Sequence, residues 1–85
     1  MQSIETRQEG TFKKLQDMVA RTLRVSPDSV TASMTNEDIA AWDSIGHVNL
    51  MIALEQAFDV VLEVEDFPEL TSVPAILHFL QVRGC

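Results

Sequence analysis

The chain has 85 residues, 46 % of them hydrophobic, and a formal net charge of −7 at pH 7. That length holds one domain with one modest core, and that composition excludes a disordered chain. No apolar run approaches the roughly 18 residues of a membrane span, and the opening "MQSIETRQEG" lacks the apolar segment of a secretory signal.

The charge is unevenly laid out. Arg7, Lys13, Lys14, Arg21 and Arg24 precede Ser26, and after it only Arg83 is basic. Most carboxylates lie from Asp28 onward. Such a surface repels phosphate backbones, so nucleic acid is not an expected partner. A membrane is not one either. Basic proteins are, drawn in by electrostatic steering. The single cysteine, Cys85, cannot staple the fold, and no Cys/His spacing suits a metal. It reads as a free thiol on a terminal tail, with the reducing cytoplasm as the expected compartment. Residues 1–10 and 83–85 are expected to be flexible tails.

The first helix carries Phe12, Leu15, Val19 and Leu23 on one face, with Met18 beside them. Thr11 is one candidate N-cap. Ile4 extends the same face, so a start near Ser3 with Gly10 inside the helix is the alternative, at about 1 kcal/mol for the glycine. Residues 24–43 form a long connection with a turn at Ser26-Pro27-Asp28. Val25, Val30, Met34 and Ile39 are expected to pin it across the core, and "NEDIA" to form a single turn.

Asp43 or Ser44 caps the second helix, which runs to about Phe58. A short acidic helix follows within "VVLEVEDFPEL", which Pro68 should stop. Thr71 or Ser72 caps the last helix, with Pro74 in its first turn and Gly84 after its end. Val73, Ile76, Leu77 and Leu80 form its apolar face. The fold expected is all-α: a small four-helix bundle of three longer helices and one short, with a long loop between the first and second.

The second helix is apolar on two sides. At about 100° per residue, His47, Leu50, Met51, Leu54 and Phe58 share one arc, which is the core face. Ile45, Val48 and Ile52 fall nearly opposite, beside Asn49, Glu55 and Gln56. Either the 24–43 loop covers this second stripe, or the stripe is a docking strip for a partner. It begins directly after Ser44. A hydroxyl at a helix N-terminus suits a phosphoester, because unpaired N–H groups and the positive end of the dipole face it. Nothing in the sequence positions a base to activate this serine, and Asp43 and His47 lack companions with triad or metal-ligand logic, so no enzyme is expected.

With Trp42-Asp43-Ser44-Ile45, then Leu50, Leu54-Glu55 and Phe58, and the acidic run "EVEDFPELTSV", the chain resembles the acyl carrier protein family from about Thr11 to Leu80. The resemblance implies a single carrier domain spanning 1–85. It implies that Ser44 receives 4′-phosphopantetheine from coenzyme A, with Asp43 supporting transfer, and that the arm holds acyl groups as thioesters. The implied partners are a phosphopantetheinyl transferase, an acyl-loading ligase or transferase, and synthases. They would be met by a monomeric carrier through Ile45, Val48, Asn49, Ile52 and Glu55. Many family members have acids where this chain has Gly46 and Asn49, which points to a dedicated pathway, such as polyketide assembly, rather than general fatty-acid synthesis. Two alternatives stay open: an aminoacyl or peptidyl carrier, although the Gly-Gly run common before that serine is missing, and an unmodified acidic adaptor that docks through Ile45, Val48 and Ile52.

Overall fold

The computed structural model describes residues 4–84. Ser3 and Cys85, read above as a helix start and a free thiol, lie outside the described residues, as does the side chain of Ile4. The described residues form three α-helices: α1 (Ile4–Leu23), α2 (Ser44–Phe58) and α3 (Val73–Val82). A 3₁₀ turn spans Pro27–Ser29, and a 3₁₀ helix spans Val64–Glu69. The described residues contain no strand, only an isolated antiparallel bridge between Thr35 and Ser72. None of their helices is long and apolar enough to cross a membrane.

α1 follows the second of its two possible starts. It runs unbroken through Gly10, so Thr11 is interior and not its cap. A glycine in open space costs a helix about 1 kcal/mol, which the continuing ladder of a 20-residue helix outweighs. The helix ends where Arg24 turns left-handed at φ 59°, and the Val25 N–H closes the last turn on the Ala20 carbonyl at 2.9 Å. Leu15, Val19 and Leu23 are buried, and Phe12 packs at their edge.

The 24–43 connection is tied down as its apolar residues predict. Val30 and Met34 are buried, while Val25 and Ile39 pack partly buried against the core. The Gln16 side-chain amide of α1 donates to the Pro27 and Val30 carbonyls, both at 2.9 Å. The single turn expected at "NEDIA" begins one residue earlier, at Thr35, whose carbonyl accepts from Asp38 N–H at 3.0 Å. Farther along, Asn36 N–H donates to Thr71 O (2.9 Å), and Val73 N–H to Met34 O (2.8 Å). These two bonds lace the loop to the start of α3.

Each helix presents one apolar face to a shared core. Leu50, Met51 and Leu54 of α2 and Val73, Ile76 and Leu80 of α3 are all buried in one cluster with Leu15, Val19 and Leu23 of α1. No polar or charged side chain is buried among the described residues, so the core is held by apolar burial and packing. Lys14 of α1 lies 4.7 Å from the Phe58 ring centroid at the far end of α2.

Pro68 does not end the acidic helix; it sits inside it, and Glu69 is the last residue. In a short element with i→i+3 bonding the missing N–H removes a single bond. Leu70 N–H then closes over the Asp66 and Phe67 carbonyls at 3.2 and 3.4 Å. Ser72, not Thr71, caps α3, its hydroxyl accepting from Ala75 N–H at 3.1 Å. Gly84 follows the helix at φ 81°, the left-handed position that a terminal glycine fills best.

Candidate functional site

The two candidate caps of α2 divide their roles. Asp43 is the N-cap: its Oδ1 accepts from Gly46 N–H at 2.8 Å, and its carbonyl accepts from His47 N–H at 2.7 Å. Ser44 is therefore released from capping. It is the first helical residue and is exposed, and its hydroxyl is hydrogen-bonded to no other described side chain. Removing the cap in Asp43→Ala is expected to cost about 1 kcal/mol. Thermal unfolding should then fall by about 4–8 °C for a domain of this size.

Gly46 is buried, and its neighbours explain why it is glycine. A Cβ there would overlap the Ala41 carbonyl oxygen and lie 3.2 Å from Leu23 Cδ2. The absence of an acid at Gly46, read from sequence as a sign of unusual partners, thus has a packing cause. Asn49 differs: it is exposed, and a carboxylate would fit there.

The second stripe of α2 is uncovered. Ile45 is 74 % exposed, Val48 46 % and Ile52 48 %. The 24–43 loop, which could have folded over them, packs toward α1 and α3 instead. Glu55 departs from this face: it is half-buried, and its Oε2 accepts from Leu62 N–H at 2.9 Å. Its carboxylate anchors the chain after α2, where Leu62 enters the core.

Two features escaped the sequence reading. Trp42, read as a lead-in to α2, is only 2 % exposed. Its indole Nε1–H donates to His47 Nδ1 at 3.0 Å, and the two ring planes lie 21° apart. The 42/47 spacing is that of a hydrophobic staple around the Asp43 cap, a signal that was available. Val61 and Val64 are also exposed apolar residues on the acidic segment, and no periodicity marks them.

His47 lies on the core arc as expected, half-buried. Both its nitrogens are engaged, Nδ1 with Trp42 and Nε2 with the Phe67 carbonyl at 2.6 Å. It has no free lone pair with which to deprotonate Ser44. What the arrangement offers is an exposed hydroxyl that can accept a group. The first N–H groups of α2 have no intrahelical partner, and the helix dipole is positive at this end. An exposed hydroxyl in that position fits a phosphodiester, with Asp43 held aside by its bond to Gly46.

The chain matches the phosphopantetheine attachment site (PP-binding) family over residues 13–80. It is similar to the acyl carrier protein of Bdellovibrio bacteriovorus, 32 % identical over 71 residues that cover 84 % of this chain and 91 % of that one. It is similar also to the acyl carrier proteins of Campylobacter fetus, at 33 % identity covering 84 % and 92 %, and of Campylobacter concisus, at 31 % covering 88 % and 97 %. A family pattern and relatives that both run through the α2 cap and the exposed stripe place this chain in the acyl carrier protein family, whose prosthetic group is covalently held 4′-phosphopantetheine.

Proposed function

We propose that Ser44 is the attachment residue and that α2 presents the loaded arm through Ile45, Val48, Asn49 and Ile52. The observation that carries this is the division of labour at the helix start. Asp43 does the capping, which leaves an exposed serine hydroxyl at the head of an exposed apolar strip. In the transfer, the Ser44 oxygen forms a bond to the pantetheine-side phosphorus of coenzyme A. The bond from that phosphorus to 3′,5′-ADP breaks. The hydroxyl proton passes to a base on the transferase, since His47 cannot take it. Asp43 keeps one carboxylate oxygen on Gly46 N–H, and its other oxygen is left to support the transfer. Once attached, the arm's thiol holds acyl groups as thioesters, and its reach turns encounter into high local concentration.

The partners are a phosphopantetheinyl transferase, a loading ligase or transferase, and synthases. The carrier meets them as a cytoplasmic monomer and catalyses nothing itself. A strip of three aliphatic side chains with Asn49 between them favours partners with apolar sockets. The acidic segment from Glu63 to Glu69 adds attraction for basic rims. This supports a pathway-dedicated carrier over one serving general fatty-acid synthesis.

Intact-mass measurement after incubation with a broad-specificity transferase and coenzyme A tests the assignment. One phosphopantetheine should be gained. No gain with several transferases overturns it, and leaves the strip to an unmodified adaptor. Ile45→Asp tests the strip. Loading efficiency (kcat/KM) is expected to fall by about tenfold, the scale of a central interface residue. Thermal stability should hold, because so exposed a side chain contributes within about 0.5 kcal/mol. Unchanged loading would remove Ile45 from the transferase interface.

A further inference from the structure

His47 joins three parts of the molecule that the chain does not otherwise connect at this point. An indole N–H can only donate, so the 3.0 Å contact with Trp42 Nε1 makes His47 Nδ1 an acceptor. A neutral imidazole then carries its proton on Nε2, which faces the Phe67 carbonyl at 2.6 Å. The resulting chain runs from the residue before the Asp43 cap, through α2, to the 3₁₀ helix Val64–Glu69. Phe67 also meets the imidazole edge-on, with centroids 6.3 Å apart. The Trp42 link depends on Nδ1 keeping its lone pair.

We infer that His47 is a positioning residue for Ser44, and that its hold is proton-dependent. A proton arriving from solvent on Nδ1 sets N–H against N–H and breaks the Trp42 bond, while the Nε2 bond to Phe67 survives. Trp42, buried among apolar residues, then loses its acceptor. Such a donor seeks a new partner by moving, and Asp43-Ser44 moves with it. The charged groups on the segments that supply Trp42 and Phe67 to the ring are Glu37, Asp38 and Asp43 before α2, and Glu63, Glu65, Asp66 and Glu69 at the 3₁₀ helix. Arg83, the residue after α3, stands 3.9 Å from Asp66. The inference rests on the reading of Ser44 only for its functional consequence; the bond itself is measurable in the unmodified protein.

The test uses two variants and two readouts. Gln in His47→Gln offers an amide oxygen to Trp42 and an amide N–H to Phe67, and does not titrate in this range. His47→Phe fills the space and makes neither bond. The first readout is solvent exchange of the Trp42 indole proton by NMR on the unmodified protein. It is compared at about pH 7.5 and about pH 5.5. In the wild type, exchange relative to His47→Gln should rise about fivefold on acidification, the worth of one hydrogen bond. His47→Phe should exchange fast at both pH values. The second readout is the ratio of wild-type to His47→Gln loading rates, in which the transferase's own pH dependence cancels. That ratio should fall by a similar factor. An indole proton equally protected in the wild type at both pH values overturns the inference, whatever the loading result. A changing indole with a constant loading ratio overturns the positioning of Ser44 by His47. Failure of the wild type to load at all bears instead on Ser44.

Discussion

Ser44→Ala is expected to abolish phosphopantetheine gain completely while leaving thermal unfolding within about 1 °C of the wild type. The two halves of this result come from different physics. Loss of loading follows because the substitution removes the oxygen that bonds to phosphorus, and no neighbouring group can replace it. Unchanged stability follows because the cap is Asp43, whose carboxylate bonds Gly46 N–H at 2.8 Å. At the first helical position alanine is at least as good a helix former as serine. Intact mass and thermal unfolding on the same sample read both. Asp43→Ala should show the converse emphasis, with stability lost and the nucleophile retained. A Ser44→Ala protein that still gains the arm would move the attachment site elsewhere. One that unfolds several degrees early would mean that Ser44 shares the capping.

Gly46→Ala is expected to destabilise the protein by about 2–3 kcal/mol, against the ordinary sign of that substitution in a helix. Alanine normally gains about 1 kcal/mol over glycine there. Here the added methyl would meet the Ala41 carbonyl oxygen and Leu23 Cδ2. The carbonyl cannot swing away freely: Trp42 N–H is bonded to Ile39 O at 3.1 Å, and the Trp42 side chain is buried. Small domains hold only about 5–15 kcal/mol in total, so this is a large share. Gly10 supplies the internal control, since nothing lies within 4 Å of where its Cβ would be. Gly10→Ala should stabilise by up to about 1 kcal/mol. Urea unfolding of both variants checks the pair. Two stabilising substitutions would show that the Ala41 segment yields, and that α2 could carry an acid at that position.

The elements that were legible in the sequence are those whose signal is the burial itself. The apolar faces of α1, α2 and α3 repeat at the helical period because each packs on the same core. The strip Ile45–Val48–Ile52 was legible for the opposite reason, as apolar residues that the core face has no room for. Local rules failed where two answers were equally good locally. Gly10-Thr11 satisfies a helix start, but a longer ladder carries α1 through it. Asp43 and Ser44 are equal caps on paper, and only backbone geometry chooses between them. The remaining misses are contacts across the chain. Glu55 sits on a plausible partner-facing arc, yet its carboxylate bends to Leu62 N–H. Gly46 looked like a missing acid because the Ala41 carbonyl above it is placed by the tertiary course of the loop. Trp42 looked like part of a loop although its spacing to His47 marks a staple.

The sequence contains one tryptophan, buried two residues before the serine proposed to carry the arm. All indole fluorescence of this chain therefore originates at the functional site, from a ring shielded from water and in contact with an imidazole. A fluorinated tryptophan would give a single fluorine resonance from the same place. Arm attachment, acyl loading and docking of a partner thus share one optical and magnetic reporter, built in and needing no added label on the surface that the partners touch.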